Sequence, residues 1–152
     1  MNMTLNRYIA LSAVVSLLCL AAAAFSLSRV ERTALLPAGG AQELSFYVDD
    51  ASARGMTVRV NGWAIVRGRD SEKSLSRVLL HGDSGSFLLP LKMGWRGDVR
   101  EHFAADGKKY ERSGFYAETF TFRLPRGTYR ILLRHVTPKG AWDVDTGKTI
   151  RI

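Results

Sequence analysis

From Tyr8 to Leu27 the chain carries twenty consecutive residues without a formal charge. As a helix rising 1.5 Å per residue, a stretch of that length spans about 30 Å, the hydrocarbon thickness of a bilayer. Residues 1–28 are therefore read as one N-terminal transmembrane helix, a signal-anchor. They are withdrawn from the residues that must build a water-soluble core. Arg7 and the terminal amine precede the apolar stretch, and a short N-terminus of this kind stays inside while the bulk of the chain is exported. The competing reading is a cleaved signal peptide, since Ala21-Ala22-Ala23-Ala24 offers the small-x-small pattern a signal peptidase accepts. Retention is favoured because Phe25 and Leu27 prolong the apolar character past that point. Both readings put the remainder outside the cytoplasm. Lipidation at Cys19 is disfavoured, because Leu18 stands where a small residue is needed.

The expected address is a bacterial inner membrane, crossed once by residues 8–27, with the C-terminal part in the periplasm. After residue 28 the chain is read as a stalk over 29–42, containing Pro37-Ala38-Gly39-Gly40, and a single domain over 43–152. That domain is long enough for one core and too short for two. Cys19 is the only cysteine, so the domain has neither a disulfide nor a thiolate metal site and rests on packing alone. Twenty-two Lys and Arg stand against fourteen Asp and Glu, and only Arg7 precedes the apolar stretch, so the exported part carries seven excess positive charges. Outside the cytoplasm a basic surface meets phospholipid, lipopolysaccharide and glycan, and nucleic acid is not expected as a partner.

Short β-rich runs separated by Gly, Asp, Ser and Pro predict an all-β domain, an antiparallel sandwich. Strands are expected near 43–49, 56–66, 77–81, 85–93, 114–124 and 128–136, with one or two more between 141 and 152. In the second run Met56, Val58, Val60, Gly62 and Ala64 share one face while Thr57, Arg59 and Asn61 take the other. In the run from Thr128, Tyr129, Ile131 and Leu133 point one way and Arg130 and Arg134 the other. One face is expected in the core and the other wet. Asp98 is expected to cap a single helical turn that tucks Val99 and Phe103 inward.

Leu124-Pro125-Arg126-Gly127-Thr128-Tyr129 resembles the tyrosine corner of Greek-key sandwiches, in which a Tyr at the start of the sixth strand hydrogen-bonds back across the turn. It favours an immunoglobulin-like or fibronectin-like sandwich over a closed barrel. Val60-Asn61-Gly62-Trp63-Ala64, Gly97-Asp98-Val99-Arg100-Glu101-His102-Phe103 and Ser113-Gly114-Phe115, in that order, resemble small sandwich domains of bacterial cell-envelope and polysaccharide-related proteins, with Gly97 where that pattern commonly has Pro. The resemblance covers roughly residues 56–136. It implies an accessory module without catalysis.

Signs of chemistry are weak. Gly82-Asp83-Ser84-Gly85-Ser86 resembles the nucleophile loop of trypsin-like proteases, but no His precedes His81, and a β-turn explains the same residues. His81, His102 and His135 lack metal-ligand spacing, so neither a metal nor another cofactor is expected. Asp49-Asp50 and Asp143 with Asp145 sit in no recognisable calcium loop, and Asp145-Thr146-Gly147 reads as a hairpin turn. An exported hydrolase is therefore the least favoured function.

The connection from Lys92 to Arg112 carries Trp95, Arg96, Arg100, Lys108, Lys109, Tyr110 and Arg112. Aromatic rings stack on sugars and guanidinium groups grip carboxylate or phosphate, so these seven are the candidate ligand- or partner-binding residues. The competing reading has Trp95 and Tyr110 covering the end of the core with the cations solvated. The expected function is a membrane-anchored, non-catalytic accessory or scaffold subunit that binds another envelope component, such as a membrane protein. The alternative is a module for an anionic glycan, lipopolysaccharide or lipid headgroup.

Overall fold

The computed structural model describes residues 2–27, 29–38 and 43–152; Met1, Ser28 and residues 39–42 of the expected stalk lie outside the described residues. Helix α1 runs Asn2–Leu27, and from Tyr8 to Ala23 every side chain is exposed. These sixteen positions are the ones on α1 whose side chains are described, and among the described residues no helix is long and apolar enough to cross a membrane.

The remainder is two antiparallel sheets. Strands β1 (Glu31–Arg32), β2 (Leu44–Arg54), β3 (Thr57–Val66), β4 (Leu75–Gly82) and β5 (Gly85–Leu88) are followed by β6 (Leu91–Gly94), β7 (Gly114–Phe120), β8 (Thr128–Thr137) and β9 (Gly140–Arg151). A short helix, α2 (Gly97–His102), lies between β6 and β7. The order in one sheet is β1-β5-β4-β8-β9 and in the other β2-β3-β7-β6. The expected sandwich is thus present.

Three readings of strand ends and turns need correction. The run expected over 85–93 is broken at Pro90, which has no N–H to give a ladder; the chain leaves the five-stranded sheet there and begins β6 in the other. The strand expected to reach Leu124 stops at Phe120, and Thr121–Arg123 form a 3-10 turn. Asp145-Thr146-Gly147 is not a hairpin. It lies within β9, where Leu132 pairs with Asp145 but Ile131 with Lys148, so Thr146 and Gly147 bulge out of the ladder, with Gly147 at φ +72°.

The core forms where inward positions of the two sheets meet. Val58, Val60, Ala64 and Val66 of β3 face Val78 and Leu80 of β4 and Ile131 and Leu133 of β8, all buried. Burying such a side chain contributes about 1.5–3 kcal/mol. Met56, expected on the same face as Val58, is outside the strand and exposed. Gly62 is required by close approach: it pairs with Val48 at a bulge in β2, and a Cβ there would lie 2.1 Å from the Tyr47 carbonyl oxygen and 2.8 Å from the Phe115 ring.

Buried charge occurs on the outer face of the five-stranded sheet, which was expected to be wet. Arg130 is exposed and paired with Asp145, but Arg134 is 8% and Asp143 5% exposed. The cover is the segment read as a stalk. Thr33 N–H donates to the Ser86 carbonyl at one side of the sheet, and Leu36 N–H donates to Asp143 Oδ2, 2.7 Å away, at the other. Leu79, Leu88 and Leu132, side by side in the β5-β4-β8 register, form a separate buried cluster.

Tyr129 points inward as expected. Its Oη donates to the Pro125 carbonyl at 2.7 Å, and its ring meets Phe87 edge-on at 5.9 Å. Tyr129→Phe keeps the ring but orphans that carbonyl. It should lower unfolding free energy by about 1–2 kcal/mol in urea titration, with an unchanged slope; an unchanged midpoint would contradict the role given to this bond.

Candidate functional site

The connection between β6 and β7 folds onto the outer face of β3. Trp63 and Ile65 project there, opposite the core-facing Ala64, and α2 lays Val99 against them. Ile65, Val99 and Tyr110 are buried together with Trp63 and Phe103 at the margin. Phe103 meets Trp63 at 5.8 Å and Tyr110 at 5.9 Å, both edge-on. Val99 and Phe103 are tucked in as expected. Asp98 is not the cap, however: the helix begins at Gly97, the cap position is Arg96, and Asp98 lies in the first turn.

The motifs quoted above are thereby brought together. Gly62 pairs with Phe115 and Trp63 with Gly114, while Ala64 N–H donates to the Ser113 carbonyl at 3.0 Å. Gly114 leaves room for Arg96, whose Cγ would lie 3.0 Å from a Cβ at that position. These residues explain their own pattern by packing.

The seven candidate residues do not converge. Tyr110 is fully buried; its Oη donates to Asp106 Oδ2 at 3.0 Å and accepts from Gly68 N–H at 2.8 Å. Burial pushes the phenol up and keeps it a neutral donor. Arg67 holds the same Asp106 with two hydrogen bonds, and that pairing keeps the carboxyl below its ordinary range. Arg96 forks onto Asp98 at 2.9 and 2.7 Å and also reaches Asp49. Arg100 pairs with Glu111 at 3.5 Å. These three side chains serve the connection itself. Arg112 is exposed, and Trp95 is the aromatic the loop presents to solvent, 71% exposed.

Lys108 and Lys109 lead elsewhere. The Lys109 amide donates to Asp70 Oδ1 at 3.0 Å, and its carbonyl accepts from the Ser71 amide and hydroxyl, which stitches the loop to the turn after β3. That amide, with Lys108 and Lys73 nearby, holds the Asp70 carboxyl below its usual range. Here a cavity of about 290 Å³ opens between the β3–β4 turn, Lys108 and the β8–β9 hairpin. Four cations line it, Arg69, Lys73, Lys108 and Lys139, against the single carboxylate Asp70, with Val66 and Pro138 as apolar wall. Arg69 reaches Glu43 at 3.5 Å; no ion pair within 4 Å holds the three lysines among the described residues.

Arg69, Lys73 and Lys139 were not among the sequence candidates. They sit in two turn-rich segments more than sixty residues apart, Arg67-Gly68-Arg69-Asp70-Ser71-Glu72-Lys73 and Thr137-Pro138-Lys139-Gly140, each an ordinary solvated turn when read alone. Only the meeting of the β3–β4 and β8–β9 connections at one end of the sandwich makes them a cluster. Beneath it His135 is buried, with Nδ1 2.8 Å from Ser76 Oγ and its ring 5.4 Å from Trp142. Burial, with a smaller contribution from Arg69, pushes the imidazole down to about 4, so it is neutral at physiological pH.

In the Gly82–Gly85 turn the register sets His81 opposite Ser86, with Nδ1 2.8 Å from Ser86 Oγ; Ser84 is at the tip. Among the described residues no group of three or more His, Cys, Asp or Glu is placed to hold a metal ion.

Tyr110 and Trp95 should separate cleanly on substitution. Tyr110→Ala opens a cavity and strands Gly68 N–H, at an expected cost of about 3–5 kcal/mol, whereas Trp95→Ala should change stability by less than about 0.5 kcal/mol. Urea unfolding measures both, and a Tyr110→Ala protein as stable as the parent would contradict the packing described. Comparison with protein families, curated proteins and solved structures finds no match to this chain.

Proposed function

We propose that this chain is a membrane-tethered, non-catalytic accessory module: an immunoglobulin-like sandwich held by α1 at the periplasmic face of a bacterial inner membrane, where it binds another component of the envelope. The observation that carries the reading is the surface of α1. From Tyr8 to Ala23 its side chains are almost wholly apolar and all exposed, so the sandwich gives this stretch nothing to pack against. A helix apolar all round requires an apolar environment, and the twenty uncharged residues from Tyr8 match a bilayer in length.

The strand order supports the finer fold assignment. Taking β2, β3, β4, β6, β7, β8 and β9 as strands A to G gives an ABED sheet facing CFG, with β5 beside C and β1 beyond it. Tyr129 then stands at the start of strand F, hydrogen-bonded back across the E–F corner. A glycan-binding reading is favoured by Trp95, whose exposure leaves its ring open to a sugar face.

Alkaline phosphatase fused after Ile152 should be active, and the full-length chain should stay in the membrane fraction through carbonate extraction. Activity of a cytosolic reporter at the same position would overturn the reading. The two functions separate by detergent pull-down of the full-length chain: a scaffold retains its membrane partner in Trp95→Ala and in excess sugar, whereas a glycan binder loses its ligand in that variant.

A further inference from the structure

We propose that the cavity lined by Arg69, Lys73, Lys108 and Lys139 is a phosphate-binding site that takes a phosphoester from an anionic lipid headgroup or a soluble phosphorylated compound. The site itself rests on the cavity, and only the lipid source depends on the tether reading above.

Charge and shape carry the assignment. Four cations surround one carboxylate, and Asp70 is engaged by the Lys109 amide, so an entering anion meets a net excess of three positive charges. The ammonium groups each offer three donors that rotate freely, which suits a tetrahedral anion approached from several sides; a carboxylate is matched best by a planar guanidinium. Arg69 is the one guanidinium in the lining, and it already reaches Glu43. A volume of about 290 Å³ exceeds one phosphate and leaves room for the organic group attached to it, beside Val66 and Pro138.

The path of the chain favours the membrane as the source. β1 runs antiparallel to β5, with Glu31 opposite Leu88 and Arg32 opposite Phe87. β5 climbs away from the Gly82–Gly85 turn, so the residues before Glu31 lie toward the opposite end of the sheet. At that end β4 begins, opposite Val136, and the β8–β9 hairpin turns from Thr137 to Gly140. Those are the cavity's own elements. β1 begins at Glu31, four positions after Leu27, where α1 ends. The cationic end is therefore the one nearest the tether, within reach of headgroups of the same leaflet.

Site-resolved acylation of lysine amines, read by mass spectrometry on the full-length chain, tests this in two arms. The first uses detergent-solubilised protein with and without inorganic phosphate, chloride being adjusted to equal ionic strength. The second uses nanodiscs of phosphatidylcholine alone or with phosphatidylglycerol. Labelling of Lys73, Lys108 and Lys139 should slow about tenfold with ligand, while exposed Lys92 labels at a constant rate.

Protection by phosphatidylglycerol supports the lipid source, and protection by phosphate alone supports the site with a soluble phosphoester. Failure of both ligands to protect the three lysines overturns the proposal. Protein that never enters nanodiscs counts against the tether, and the detergent arm still reads the site. Lys73→Gln/Lys108→Gln should weaken phosphate binding roughly tenfold or more, whereas Arg54→Gln/Arg126→Gln at the opposite end should leave it unchanged. Equal loss in both pairs would mean diffuse charge attraction and would also overturn the proposal.

Discussion

Among the described residues, the ion pair between Arg134 and Asp143 is the most deeply buried. Arg134 Nε and Nη2 donate to the two carboxylate oxygens at 2.7 and 2.8 Å, while Nη1 donates to Thr33 Oγ1 at 2.8 Å and Nη2 also to the Ala34 carbonyl at 2.6 Å. Asp143 accepts the Leu36 amide as well. Burying both charges carries a desolvation cost that geometry of this quality offsets, and losing either partner would leave an unpaired buried charge worth about 3–5 kcal/mol. The pair is thus a clasp. It holds residues 33–36 against the outer face of the five-stranded sheet, tied to both β8 and β9.

That clasp gives the proposed functions a common geometry. A long free stalk would let the sandwich turn any surface toward any partner. With Glu31 and Arg32 paired to β5 and Leu36 tied to β9, the direction of β1 leads back toward the end of the sheet that carries the β8–β9 hairpin. No ion pair holds Lys73, Lys108 or Lys139 of that end among the described residues, and the ring of Trp95 is exposed; an external partner is sought there.

The sheets were legible because alternation is a local signal. Val58, Val60, Gly62 and Ala64 declare their face without knowledge of the rest, and Tyr129 announces its corner through Pro125 and Gly127 beside it. The break at Pro90 was legible in the proline itself, which has no N–H for a ladder, and was passed over. The bulge at Thr146-Gly147 was misread because it depends on the pairing with β8, which local turn chemistry does not encode. Arg134 was expected in water because its strand alternates correctly; its burial follows from a segment a hundred residues away that no pattern near β8 reveals. The candidate site fared worse. Trp95, Arg96, Arg100 and Tyr110 look alike as basic and aromatic loop residues, yet Arg96 and Arg100 have carboxylate partners and Tyr110 lies in a small core built by Trp63 and Ile65. Arg69, Lys73 and Lys139 join Lys108 only through tertiary contact.

The central claim is that the chain following α1 is welded to the sandwich rather than hanging from it. Hydrogen exchange of the Leu36 amide in the full-length protein tests this most directly. If Asp143 holds that amide, its opening free energy should match that of the β8 amides and fall when Asp143 is replaced by Asn. Exchange of Leu36 at the rate of an unstructured peptide, with β8 fully protected, would contradict the account.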